Sequence, residues 1–276
     1  MTELFPDSNY RFQMNLERGS VSEFFRNSLA HEEILRSRRY WLGEDPPRYS
    51  EMREPAVPLL DETLEILHQV EVLNSDELRQ CRSMPVPLDR CMELGRILEP
   101  DYLLLVPDGP QFRLVGACVC FPSSWSLQEK IDRPLNFIHD VVPDLNAQIG
   151  SQITRFLFSL KPGNAMLRAN WGLSRSGEFN QHPSRKLPRL VAGTTMDEIW
   201  LRIERQALVH LPQSNGVLFG IRIETFPVME LKANPANAHG LARALRTMPA
   251  EMARYKSIDL VREQVAYELE REGIPL

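Results

Sequence analysis

Six histidines punctuate this chain: His31, His68, His139, His182, His210 and His239. His139 stands apart because its neighbours are apolar, with Phe137-Ile138 before it and Val141-Val142-Pro143 after it. A neutral imidazole nitrogen is a common metal ligand, and an apolar helical segment is the setting in which one fixed nitrogen faces a bulky apolar group. His68 lies in a charged helical stretch, His239 beside a loop rich in Pro and Asn, and His182 in a basic loop. Those three read as surface or capped residues.

The second chemical feature is a set of charged side chains in strand-like stretches. Residues 199–206 read Ile-Trp-Leu-Arg-Ile-Glu-Arg-Gln. Alternation puts Ile199, Leu201 and Ile203 on one face and Arg202, Glu204 and Gln206 on the other. In residues 217–226, Phe219, Ile221 and Ile223 share a face and leave Arg222 and Glu224 on its reverse, while Arg168 and Asn170 share a face of Arg-Ala-Asn-Trp. Two readings stay open. One is a solvent face laced with cross-strand Arg–Glu pairs, each worth about 0.2–1 kcal/mol. The other is a pocket in which a cation donates to a polar ligand and a carboxylate holds a protonated group and takes its proton. Arg205 and Gln206 are expected to hold the turn at Leu211-Pro212.

The elements that must position these residues follow from periodicity. The first ~57 residues are polar and Arg-rich, and read as short helices and extended segments wrapping a core. From Pro58 to about Cys81 the pattern is helical, with Leu60, Leu64, Leu67 and Val70 on one stripe. A second helix is expected from Leu88 to Leu98, stopping before Pro100. Tyr102–Val106 and Phe112–Phe121 then form a hairpin about the turn Pro107-Asp108-Gly109-Pro110. Pro122–Leu160 returns to helix, three strands follow at Met166–Leu173, Ile199–Leu208 and Val217–Phe226, and the last ~40 residues are helical. Two strands, helices, then three strands predict an α+β fold on an antiparallel five-stranded sheet, the order that a PAS domain has. The expected division is an N-terminal wrap over 1–100, a PAS-like core over 101–230 and C-terminal helices over 231–276, all in one compact unit.

Composition sets outer limits. Of 276 residues, 43% are hydrophobic and 25% charged, ordinary for a globular chain. A net charge of -5 argues against a nucleic-acid binder, which carries a basic surface. No apolar run approaches the ~20 residues that span a bilayer, and the first residues lack the order of a signal peptide. The expectation is a cytoplasmic protein. Cys81, Cys91, Cys118 and Cys120 form no CxxC pair and read as core thiols.

Three stretches carry a resemblance: FPSSWSLQEKIDRPLNFIHDVVPDLN at 121–146, RANW at 168–171, and LRIERQALVHLPQSNGVLFGIRIETFP at 201–227, with RYKSI following at 254–258. In order and spacing they resemble the haem-dependent oxidative N-demethylase alpha-subunit-like family over roughly residues 10–260. The resemblance implies a PAS-like fold holding haem b, with His139 as axial ligand to the iron. The family pattern has Pro-Val-Pro after its histidine, where this chain reads Asp140-Val141-Val142-Pro143. The implied activity is oxidative demethylation of a small secondary amine, dimethylamine in type, by O2. Electrons would come from NADPH through flavin and iron–sulfur components on separate reductase subunits, which fits the lack of a GxGxxG fingerprint. On that reading Arg168 or Arg222 polarises dioxygen and Glu204 anchors the amine. The alternatives are a haem-PAS sensor of a gas or amine without chemistry, and a relative that has lost haem.

Overall fold

The computed structural model describes residues 5–6 and 8–271. In chain order, β1 (Glu17–Gly19), α1 (Val21–Phe25), α2 (His31–Glu44), α3 (Pro46–Tyr49) and β2 (Ser50–Met52) precede the helices α4 (Ala56–Gln69), α5 (Ser75–Ser83) and α6 (Pro87–Ile97). The hairpin β3 (Asp101–Asp108) and β4 (Gln111–Cys118) follows, with Gly109 at φ +58° in its turn. Next come α7 (Leu135–His139) and α8 (Ser151–Ser159), then β5 (Ala165–Ser174), β6 (Trp200–Leu211) and β7 (Gly216–Pro227). The last helices are α9 (Pro235–Thr247), α10 (Ala250–Tyr255) and α11 (Arg262–Glu270).

The fold is α+β, but its open antiparallel sheet has seven strands in the order β1-β5-β6-β7-β3-β4-β2. The five expected strands are its centre. The additions are three-residue edges, Glu-Arg-Gly on β5 and Ser-Glu-Met on β4. Neither carries a period-2 apolar pattern, because each is held by backbone pairing to an edge that would otherwise be open. The helix expected over Pro58–Cys81 is two. Glu71 adopts φ +59° after α4, and Asn74 starts α5 with a capping box closed by Glu77.

The sheet's two faces have different covers. On one, α1 and α4 press so close that a Cβ at Gly220 would come within 2.7 Å of the Phe24 ring, and one at Gly216 within 2.7 Å of Leu59. Nearer the other end of the sheet, Ile203 and Leu201 pack with Leu241, Leu245 and Val265 of α9 and α11. The opposite face is crossed by residues 121–160. Phe158 of α8 packs on Phe112 of β4 with ring centroids 4.7 Å apart, and Leu157 and Leu160 join the main core. All four cysteines are buried, and no helix among the described residues is long and apolar enough to cross a membrane.

Candidate functional site

Strand pairing decides which side chains meet, since directly opposed residues of an antiparallel pair project to the same side. Arg168 is opposite Gln206, Asn170 opposite Glu204, and Gly172 opposite Arg202. Glu204 in turn faces Ile223. Arg168, Asn170, Arg202, Glu204 and Gln206 therefore share the face that residues 121–160 cross. Arg222 is opposite Arg205, on the reverse face. Its guanidinium pairs closely with Glu99 and donates to the Phe24 carbonyl at 2.8 Å and the Arg26 carbonyl at 2.7 Å. The sheet brings Arg168 and Glu204 together and holds Arg222 elsewhere.

Glu204 is fixed from three sides. One oxygen accepts from the Ser123 hydroxyl at 2.6 Å, the other from Gln206 Nε2 at 3.0 Å and Asn170 Nδ2 at 3.4 Å. Ser123 is itself oriented by Arg202, whose Nε donates to its oxygen at 2.8 Å. Arg202 is only 3% exposed and also donates to the carbonyls of Phe121 at 2.7 Å and Phe179 at 2.8 Å. It clamps the Phe121–Ser123 stretch and the loop around Phe179 onto β6. Burial pulls its pKa down to about 10, against the opposing charges of Glu204 and Asp101. Gln206 thus bonds to Glu204, and Arg205 pairs with Glu224 at 3.1 Å. Neither holds the 211–215 turn as expected. Glu62 does, accepting from the backbone N–H of Gln213 at 2.7 Å and of Ser214 at 2.8 Å.

Around this one carboxylate stand further cations. Arg168 is lowered in pKa by burial and raised by Glu204; its Nε is buried without a hydrogen-bond partner among the described residues. Lys130 lies 4.5 Å over the Trp125 ring, also lowered by burial, with Glu204 and Glu129 opposing. Lys256 donates to the Trp171 carbonyl at 2.6 Å. Burial brings its pKa down to about 8, Glu204 raising it and Arg168 lowering it. Arg168, Arg202, Lys130 and Lys256 all feel the charge of Glu204.

His139 ends α7 above this face. Desolvation first, then the positive charges of Lys130 and Arg168, push its pKa down to about 4. The imidazole is therefore neutral at pH 7, and among the described residues neither ring nitrogen has a hydrogen-bond partner. Its carbonyl accepts from Val142 N–H at 2.9 Å, Asp144 follows at φ +60°, and a π-helical turn at Asn146–Gly150 leads into α8. Such wide turns recur at functional sites. Leu135, Ile138, Ile153 and Phe156 of this segment are only partly covered, and Phe137 and Val141 are exposed.

A cleft with a cavity volume of about 220 Å³ opens beside β5. Arg168, Asn170 and Lys256 are among its polar lining, with Arg11 and Gln13, and Val142 is among its apolar lining. Among the described residues no group of three or more His, Cys, Asp or Glu could hold a bare metal ion. Sequence reasoning missed Ser123, Lys130 and Lys256 as site residues, and placed Arg202 beside Glu204 without a role of its own. Three of these four fall in the quoted stretches 121–146 and 201–227 and the fourth in RYKSI, but nothing in their spacing links them. A family model described as "Haem-dependent oxidative N-demethylase, alpha subunit-like" matches residues 49–266, about four-fifths of the chain.

Proposed function

The chain belongs to the haem-dependent oxidative N-demethylase, alpha-subunit-like family, and from that premise we propose that it oxidatively demethylates a small secondary amine with O2. The observation that carries this reading is the placement of Glu204 and an unpartnered Arg168 on the sheet face beneath the segment bearing His139. The finer fold reading is a PAS-like core over residues 101–230, supported by its two strands, intervening helices and three strands, with 1–100 as a wrap and 231–276 as C-terminal helices.

The residues suit haem b. Haem brings its iron already held in a macrocycle, so the protein would need to offer only a single nitrogen donor. His139 meets that need as a neutral imidazole with both nitrogens unpartnered, on a segment of half-covered apolar side chains. When bound, haem supplies the redox centre at which dioxygen is activated.

Overall, R–NH–CH3, O2, two electrons and two protons give R–NH2, formaldehyde and water. The alpha-subunit description supports partner subunits, and the two electrons are assigned to a separate flavin and iron–sulfur reductase drawing on NADPH. Within this chain, Glu204 anchors the ammonium form of the substrate and takes its proton, since Ser123, Asn170 and Gln206 hold the carboxylate from the sides. Arg168 directs its free donors at the oxygen reactant, where developing negative charge is stabilised in a partly dehydrated site. Arg222, committed to Glu99 on the reverse face, has no part in this assignment.

The test is formaldehyde release from small secondary amines by haem-loaded protein with a supplied reductant. Glu204→Gln is expected to lower kcat/KM at least tenfold with an unchanged Soret band. A haem-loaded wild-type protein that never releases aldehyde would overturn the proposal.

A further inference from the structure

The charges around Glu204 do not match a simple alkylammonium ion. Glu204 already accepts from Ser123, Asn170 and Gln206. Among the described residues Arg168, Lys130 and Lys256 have no carboxylate within ion-pair distance, although burial works against the charged form of each. A substrate bearing only positive charge would enter a site already in cationic excess, and like charges in a poorly solvated site repel strongly. Two of the three cations are placed together. Arg168 and Lys256 both line the 220 Å³ cleft, and Asn170, which also lines it, joins it to Glu204 by donating to that carboxylate at 3.4 Å and accepting from Lys256 Nζ at 3.5 Å. Arg168 keeps its guanidinium donors, and Lys256 keeps one of three, the others going to the Trp171 carbonyl at 2.6 Å and to Asn170 Oδ1 at 3.5 Å.

We propose that the amine demethylated here carries a carboxylate, seated by Arg168 and Lys256, and that the substrate class is a small N-methylated amino acid. The inference rests on the proposed demethylase reading and narrows its substrate. A zwitterion answers both halves of the site: its ammonium group meets Glu204, and its carboxylate meets the terminal donors of Arg168 and the point charge of Lys256, leaving the unpartnered Arg168 Nε for the oxygen reactant. The cleft is small, which suits a short amino acid over a long chain. The propionate groups of haem present the same carboxylate chemistry, so the experiment must separate the two sources.

Haem-loaded and haem-free protein are titrated with N-methylglycine and with dimethylamine, followed by calorimetry and, where haem is present, by the Soret band. N-methylglycine is expected to bind haem-loaded protein at least tenfold more tightly than dimethylamine. Lys256→Met is expected to erase that preference without changing the rate of haem transfer to apomyoglobin. Equal or tighter binding of dimethylamine would overturn the proposal. So would a Lys256→Met protein that loses haem tenfold faster yet keeps its preference for N-methylglycine, because the seat would then belong to a propionate. Calorimetry also reads the haem-free protein. A missing Soret band would therefore sink the haem reading while the carboxylate preference is still measured, so the two failures are distinguishable.

Discussion

Replacing Arg202 by Met should cost far more stability than replacing Arg205, three residues along the same strand. Arg202 is 3% exposed and donates to the Phe121 and Phe179 carbonyls at 2.7 and 2.8 Å, to Glu178's at 3.2 Å and to Ser123 Oγ at 2.8 Å. Methionine fills similar space with no donor. Each covered acceptor left unpaired costs about 1–3 kcal/mol, partly offset because the buried guanidinium no longer has to be desolvated. The net expectation is a loss of about 3–5 kcal/mol. Arg205 instead makes a half-exposed pair with Glu224, worth about 0–1 kcal/mol. Urea unfolding at pH 7 by tryptophan fluorescence measures both variants, and amide exchange at Phe121–Ser124 should quicken in Arg202→Met alone. If the two variants fall within 1 kcal/mol of each other, the clamp argument is refuted.

Glu62 is 4% exposed and caps the β6–β7 turn through Gln213, Ser214 N–H and the Ser214 hydroxyl at 2.6 Å. Glu62→Gln removes the charge from these bonds and should cost roughly 2–3 kcal/mol, read from the urea midpoint, with faster amide exchange confined to 213–215. Lys256, with its pKa brought down to about 8 by burial, is protonated below that value and loses its proton as pH rises through it. Its rate of acetylation by acetic anhydride should therefore rise through pH 8 and level off by about pH 9, as peptide mass analysis of the Lys256 peptide would show. A rate still climbing about tenfold per pH unit above pH 9 would contradict the lowered pKa.

What could be read from sequence was whatever repeats within a single element. Met166–Leu173 and Val217–Phe226 are apolar-rich runs, and the structure extends each by one residue at either end, to Ala165–Ser174 and Gly216–Pro227. β1 and β2 left no trace, since three residues held by edge pairing need no side-chain pattern. The site shows the same limit. Alternation places Glu204 and Gln206 on one side of β6, and Arg222 and Glu224 on one side of β7, but says nothing of how the strands align. Pairing Glu204 with Ile223 puts Arg222 on the reverse face, and a shift of one residue would have reversed that. Lys130 lies 74 residues before Glu204 and Lys256 52 residues after it; both meet it only through tertiary packing, so no spacing could announce them.

The central claim is that His139 holds haem iron over the Arg168–Glu204 face, and haem titration of wild type and His139→Ala tests it most directly. No residue of α7 is fully buried, so the substitution should leave the urea midpoint within about 1 kcal/mol of wild type. Wild type is predicted to take up one haem with a sharp Soret band. His139→Ala should lose that band and recover it when imidazole is added. Equal haem affinity and an identical spectrum in the two proteins would contradict the account.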